Sequence, residues 1–209
     1  MMPETATATA CLRKDCTECP VEGHLLCVHT PLDLARFYGI FAIWLVPFLA
    51  GMIIGRHWAG LSVWGGLAVI FFEYAEARVL CRHCPHYAEP GFFLRCHANW
   101  GLPKIPALDP SPLSRREKGM WLVWVAVLFL YFIPFFWAGG EWGFLGTSLA
   151  ATVFVAWYLQ RHQCRRCYNL SCPVNRVPEA VRKEFFKNYP AFARAWGRAD
   201  ESAGCPRER

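Results

Sequence analysis

Long apolar windows separated by short charged stretches set the pattern of this chain. Three uncharged windows, Phe37–Gly55, Met120–Gly140 and Trp142–Gln160, are long enough to cross a bilayer, whose ~30 Å hydrocarbon core takes about 20 helical residues. A fourth window, Trp58–Phe72, is shorter and reaches spanning length only if its helix continues through Glu73, Tyr74 and Glu76. That continuation places both carboxylates near one interface. The pattern predicts an all-α membrane protein with four transmembrane helices. Pro47 falls in the middle of the first span and predicts a kink there. Gly51 and Gly55, four apart in the same span, permit close helix contact.

Positive charge orients these spans, because cytoplasmic flanks hold most Lys and Arg. Of the 22 Lys and Arg residues only Arg56 lies between spans one and two or between three and four; the other 21 are in the tails and the central loop. Both termini and the central loop are therefore expected on the cytoplasmic side of an inner membrane. All 11 cysteines fall on that side, where thiols stay reduced and structural disulfides are uncommon. The net charge of +6 follows from this topology and an anionic inner leaflet, and needs no nucleic acid partner. The first 30 residues are polar and lack the apolar core of a signal peptide.

Between and around the spans the chain divides by composition. Residues 1–30 form a Cys/His-rich N-terminal segment containing Cys11, Cys16, Cys19, His24, Cys27 and His29. Thr30 and Asp33 are the cap candidates for the first helix, which opens a hairpin over residues 31–97 that carries Cys81, Cys84 and Cys96 with His86 and His97. Residues 98–118 form a Pro-rich linker, with Pro103, Pro106, Pro110 and Pro112 resisting helix. The second hairpin, residues 119–173, ends in Cys164, Cys167 and Cys172. Residues 174–209 are read as an amphipathic helix and a mobile tail. Val181, Phe185, Tyr189, Phe192 and Trp196 recur at helical spacing, so a basic amphipathic helix lying on the inner leaflet is expected, bent or ended at Pro190.

The order of features repeats. Pro31-Leu32 and Pro112-Leu113 precede the odd spans, Pro47 and Pro134 lie inside them, and Cys81/Cys84 and Cys164/Cys167 follow the even spans, at separations of 81 to 87 residues. Two tandem two-helix repeats follow. Units with an even number of spans repeat in parallel about a pseudo-two-fold axis along the membrane normal, which brings the two Cys-x-x-Cys junctions to one face.

Three Cys-x-x-Cys pairs, Cys16/Cys19, Cys81/Cys84 and Cys164/Cys167, have the spacing that lets one tight turn direct both sulfurs to an ion. Metal ligation is the expectation. The candidate ligands are Cys11, Cys16, Cys19, Cys27, Cys81, Cys84, Cys96, Cys164, Cys167, Cys172, His24, His86 and His97. Histidines among the cysteines favour zinc, with His162 a further candidate beside Cys164, Cys167 and Cys172. The alternative is an iron–sulfur cluster, since Cys164-x2-Cys167-x4-Cys172-Pro173 has the clustered thiolates and trailing Cys-Pro of ferredoxin-like runs. Four spans with cytosolic cysteine clusters also resemble the membrane polyferredoxin subunits that pass electrons from quinol to periplasmic reductases. That family's repeated four-cysteine motifs are absent here, so the resemblance implies an electron-transfer alternative and not membership.

Glu73 and Glu76 share a helix face and are expected to pair with Arg78 or Arg82, with proton or quinone chemistry as the functional alternative. No histidine occupies a span interior, which argues against a bis-histidine haem. The reading that results is a multi-pass inner-membrane protein whose cytosolic Cys/His sites, zinc favoured, order its loops and dock a membrane or cytosolic protein partner. Its rival is an iron–sulfur electron-transfer subunit linking a cytosolic donor to quinone or a partner oxidoreductase.

Overall fold

The structure, a computed structural model, describes residues 19, 21, 23–28 and 30–202. Four helical segments are long and apolar enough to cross a membrane: Pro31–Ile54, Trp58–His83, Arg115–Ala138 and Trp142–Gln163. The first is a single helix, α1 (Pro31–Ile54), of 24 residues, or about 36 Å at 1.5 Å per residue. Thr30 and Asp33 cap it together. The Thr30 hydroxyl accepts from the Asp33 amide, and the Asp33 carboxylate accepts from the Thr30 amide at 2.9 Å.

The second segment runs as α2 (Trp58–Ile70), a turn of π-helix at Phe71–Ala75, and α3 (Glu76–Val79). The helix thus continues through Glu73, Tyr74 and Glu76, as its short apolar window requires. The third is α4 (Arg115–Leu130) followed by α5 (Ile133–Ala138), and the fourth is α6 (Trp142–Tyr158) with a second π turn at Leu159–Gln163. Ser114 and Glu117 repeat at α4 the reciprocal cap seen at α1. The two interior prolines behave differently. Helix α1 runs unbroken through Pro47, whereas a turn at Tyr131 and Phe132 separates α4 from α5, with Pro134 in the first turn of the latter.

Aromatic side chains fill the centre of the bundle. Trp44, Phe48, Met52, Phe132, Phe136, Leu145, Ala151 and Val155 are buried together. Phe48 stacks on Trp44 at 5.1 Å and meets Trp64 at 4.7 Å, while the Trp64 indole donates to the Leu128 carbonyl at 3.1 Å. These rings fit because small residues face them: any side chain at Gly51 would enter the Phe136 ring, and one at Gly60 the Phe135 ring.

The two tight turns that close the hairpins meet at one end of the bundle, where His57 Nε2 lies 3.1 Å from Glu141 Oε2. The other end therefore collects the described residues before α1, the central loop and the chain past the fourth span as far as residue 202. We call it the cysteine end. Arg82 joins spans two and three there, with Nη2 at 2.9 Å from Glu117 and 3.5 Å from Asp109. A short antiparallel hairpin, β1 (Phe93–Arg95) and β2 (Trp100–Pro103), folds over it with Leu94 and Leu102 buried against Ala77 and Tyr87. The proline count of this stretch gave no sign of a strand pair.

The C-terminal segment corrects one expectation. Pro190 does interrupt it, giving α7 (Glu179–Asn188) and α8 (Pro190–Ala195). Its apolar face does not lie on lipid. Phe185, Phe186, Tyr189 and Phe192 are buried in a core of their own with Val21, Leu25, Tyr168, Leu170 and Val177. The chain past the fourth span and the N-terminal segment provide a closer apolar surface than the bilayer, and the helix pair packs on that. Overfilling the tightest helix contact provides a test of the bundle: Gly51→Leu is expected to cost about 1–3 kcal/mol, read as a lower thermal midpoint in detergent, while Gly65→Ala, which faces open space, leaves the midpoint unchanged.

Candidate thiol site

Three features of the cysteine end bring cysteines together. The helical chain leaving span two turns through Cys81–His83 and Pro85–Ala88, placing Cys81 and Cys84. Cys96 sits at the tip of the β1–β2 hairpin, held by its amide donating to the Asn99 carbonyl at 2.8 Å. The π turn ending span four delivers Cys164, whose amide donates to the Leu159 carbonyl at 2.7 Å, and the following loop carries Cys167 and Cys172. Two asparagines fix that loop. Asn169 donates across to the Leu80 carbonyl at 3.0 Å, joining the second cysteine loop to the first, and Asn175 donates to the Cys167 and Asn169 carbonyls, both at 3.0 Å. Sequence reasoning missed both asparagines, whose partners are backbone carbonyls.

The two halves meet at their cysteines. Cys84 lies within electrostatic reach of Cys167 and Cys96, and Cys81 within reach of Cys84, Cys96 and Cys172. Cys81, Cys84, Cys96 and Cys167 line one cavity of about 440 Å³, bounded on the membrane side by Phe37, Phe41 and Phe72 and on the loop side by Leu94, Leu102 and Asn169. Glu73 and Glu76 line it too. Neither glutamate pairs with the expected arginines: Arg82 is engaged by Glu117 and Asp109, and the Arg78 guanidinium lies over the Tyr74 ring at 4.3 Å. Among the described residues no three Cys, His, Asp or Glu side chains are grouped closely enough to hold a single metal ion. The thiols surround a space.

The histidines divide between this cavity and other partners. His86 is buried with Nδ1 at 2.6 Å from Glu89 Oε1 and Nε2 at 3.0 Å from the Leu26 carbonyl, so oxygens occupy both ring nitrogens. His83 is engaged by Arg82 and the Ser111 carbonyl. His162 lies tilted against the Tyr158 ring at 4.6 Å and shares with His24, Arg161 and Arg165 a separate cavity of about 360 Å³. His97 lines the thiol cavity together with His86, with the His97 ring edge-on to Phe37. Cys19 and Cys27 pack against the C-terminal helix core, and Cys11 and Cys16 lie outside the described residues.

Withdrawal from water makes these thiols hard to ionise. It pushes Cys84 and Cys167 well above the usual thiol range, with nearby thiols adding to the effect, and raises Cys96 to about 11 and Cys172 to about 12. Against that, backbone amides are aimed at the sulfurs. Cys84 receives the His86 N–H, Cys96 those of Ala98 and Asn99, Cys167 that of Asn169, and Cys172 those of Val174 and Asn175. A neutral thiol is a poor acceptor and gains little from such donors; a thiolate gains much more. The arrangement has the polar contacts of a thiolate site and lacks, within the described protein, a cation to balance it.

Set against known proteins, the chain matches no known family, no curated protein and no solved structure.

In protein stripped of metal, Cys96 at pH 8 is expected to react with iodoacetamide roughly 100-fold more slowly than a free thiol, because its thiolate fraction is that much smaller. Its rate should climb steeply as pH approaches about 11. Mass-spectrometric rate measurement site by site checks this; a Cys96 rate equal to that of free cysteine at pH 8 contradicts the site's burial.

Proposed function

We propose that the protein is a multi-pass inner-membrane protein carrying a metal–thiolate centre on the cytosolic side, where the centre joins the two helical hairpins. The observation that supports this most directly is the convergence of Cys81, Cys84 and Cys96 from the first half of the chain and Cys167 from the second on one cavity. A bound cation supplies the charge that favours four thiolates in a poorly hydrated site. Metal binding then contributes folding free energy to loops whose own core is small.

The matching features of the two hairpins support reading them as tandem repeats: a reciprocal cap at the start of each odd span, a glycine-containing turn, and a π turn before each Cys-x-x-Cys pair. Charge supports the orientation, with Arg56 alone among the Lys and Arg residues in the two hairpin turns. Phe92, Phe93 and Ile105 are exposed on the cysteine end and form the apolar part of a docking surface for a partner complex. A set of thiolates suits zinc and iron alike, and His97 at the same cavity is the histidine placed to join a zinc site.

Element analysis of protein purified without added metal is expected to find at least one equivalent of zinc or iron per chain; less sinks the proposal. Cys84→Ser and Cys167→Ser should lose that metal in parallel. Independent, partial losses would mean two sites, one in each half. Alkaline phosphatase joined after Arg56 is expected to be active and the same enzyme joined after Ser202 inactive, and the reverse pattern overturns the orientation.

A further inference from the structure

We infer that Cys81, Cys84, Cys96 and Cys167 are the four ligands of a cubane cluster of iron and sulfide seated between the hairpins, with Cys164 and Cys172, which do not line the cavity between them, outside its ligand set. This rests on the metal–thiolate reading and narrows it from a class of centres to one. The first argument is spatial. Zinc at 2.3 Å from each of four sulfurs draws those sulfurs to about 3.8 Å of one another, leaving no interior. Here the four cysteines line a cavity of about 440 Å³, and among the described residues no three ligand-type side chains gather at a point. A polynuclear cluster binds its cysteines at separate corners and fills the volume between them.

Chemistry agrees with the space. Of the histidines that could complete a mixed zinc site, His86 is engaged with Glu89 and the Leu26 carbonyl and His162 lies against Tyr158 at the separate cavity, which leaves His97 at the thiol cavity, edge-on to Phe37. Phe37, Phe41, Leu94 and Leu102 give the cavity an apolar wall that limits water around bound sulfide. Three of the four sulfurs, those of Cys84, Cys96 and Cys167, accept backbone amides, the kind of hydrogen bond that tunes iron–sulfur centres. The ligands divide three and one between the hairpins, so the cluster closes the bundle across its two halves. Loading a preformed cluster is a ligand exchange: each of four thiols binds one iron and releases its proton to solvent, and the four groups that held the cluster depart.

The test is made on full-length protein purified in detergent without oxygen. The expected result is about four iron and four acid-labile sulfide per chain, with a broad absorption near 400 nm that dithionite bleaches. Cys96→Ser should lose more than four-fifths of that absorption, and Cys164→Ser should keep it. One equivalent of zinc with no sulfide overturns the cubane and leaves the metal–thiolate reading standing. Absence of any metal overturns both. Retention of the cluster in a folded Cys96→Ser protein, or its loss in a folded Cys164→Ser protein, overturns the ligand set; helical circular dichroism and a monodisperse elution profile establish folding in each variant.

Discussion

Inside hydrocarbon, a backbone amide or carbonyl that lacks a partner costs several kcal/mol, and no water is present to supply one. Much of this protein's architecture follows from that constraint. The spanning segments must be helices, their junctions must lie at the two bilayer surfaces, and irregular backbone belongs outside the spans. Tight turns occupy one end and need only a few residues, Gly55 to His57 and Gly139 to Glu141. Loops, hairpin and helix pair all occupy the other. Irregular backbone is also what a thiol site requires, since amides are free to point at sulfur only where helices and sheets do not use them. The cysteine end holds such backbone in quantity.

Two opposing effects then act on the same side chains. Burial of Cys84, Cys96 and Cys167 favours the neutral thiol, while the amides directed at their sulfurs favour the thiolate. In the protein alone burial wins, and the thiols stay protonated. A bound cation reverses the outcome because its charge acts at bonding distance in a medium that screens poorly. The site described by these residues is thus unfavourable for free thiolates and well suited to metal-bound ones.

The spans were legible in the sequence because transfer to hydrocarbon depends on composition summed over about 20 residues, a quantity that needs no knowledge of neighbours. The continuation of span two through Glu73 and Glu76 was legible for the same reason, as a matter of length. Other features were not. The histidines lay within a few residues of the cysteines and were expected to join them, but a ring nitrogen's partner depends on what the fold brings near it, such as Leu26 to His86 across 60 positions. Helical spacing identified the apolar face of residues 179–196 but not its partner, because lipid and a protein core present the same chemistry to phenylalanine. The β1–β2 hairpin left little trace because its strands are three and four residues long and one ends at a proline. Asn169 and Asn175, which hold the second cysteine loop, act through backbone carbonyls and leave no motif.

The two π turns have a further geometric effect. Each inserts one residue into a helical turn, which rotates all that follows by about 100° relative to the face before it. Spans two and four therefore work as phase shifters: one stripe of the helix faces its neighbours through the bilayer, and a different stripe emerges at the surface. Without the insertions, the side chains that follow Phe71–Ala75 and Leu159–Gln163 would continue the membrane stripe in its original azimuth. With them, each helix can satisfy lipid and partner helices along most of its length and still turn its last residues toward the other hairpin.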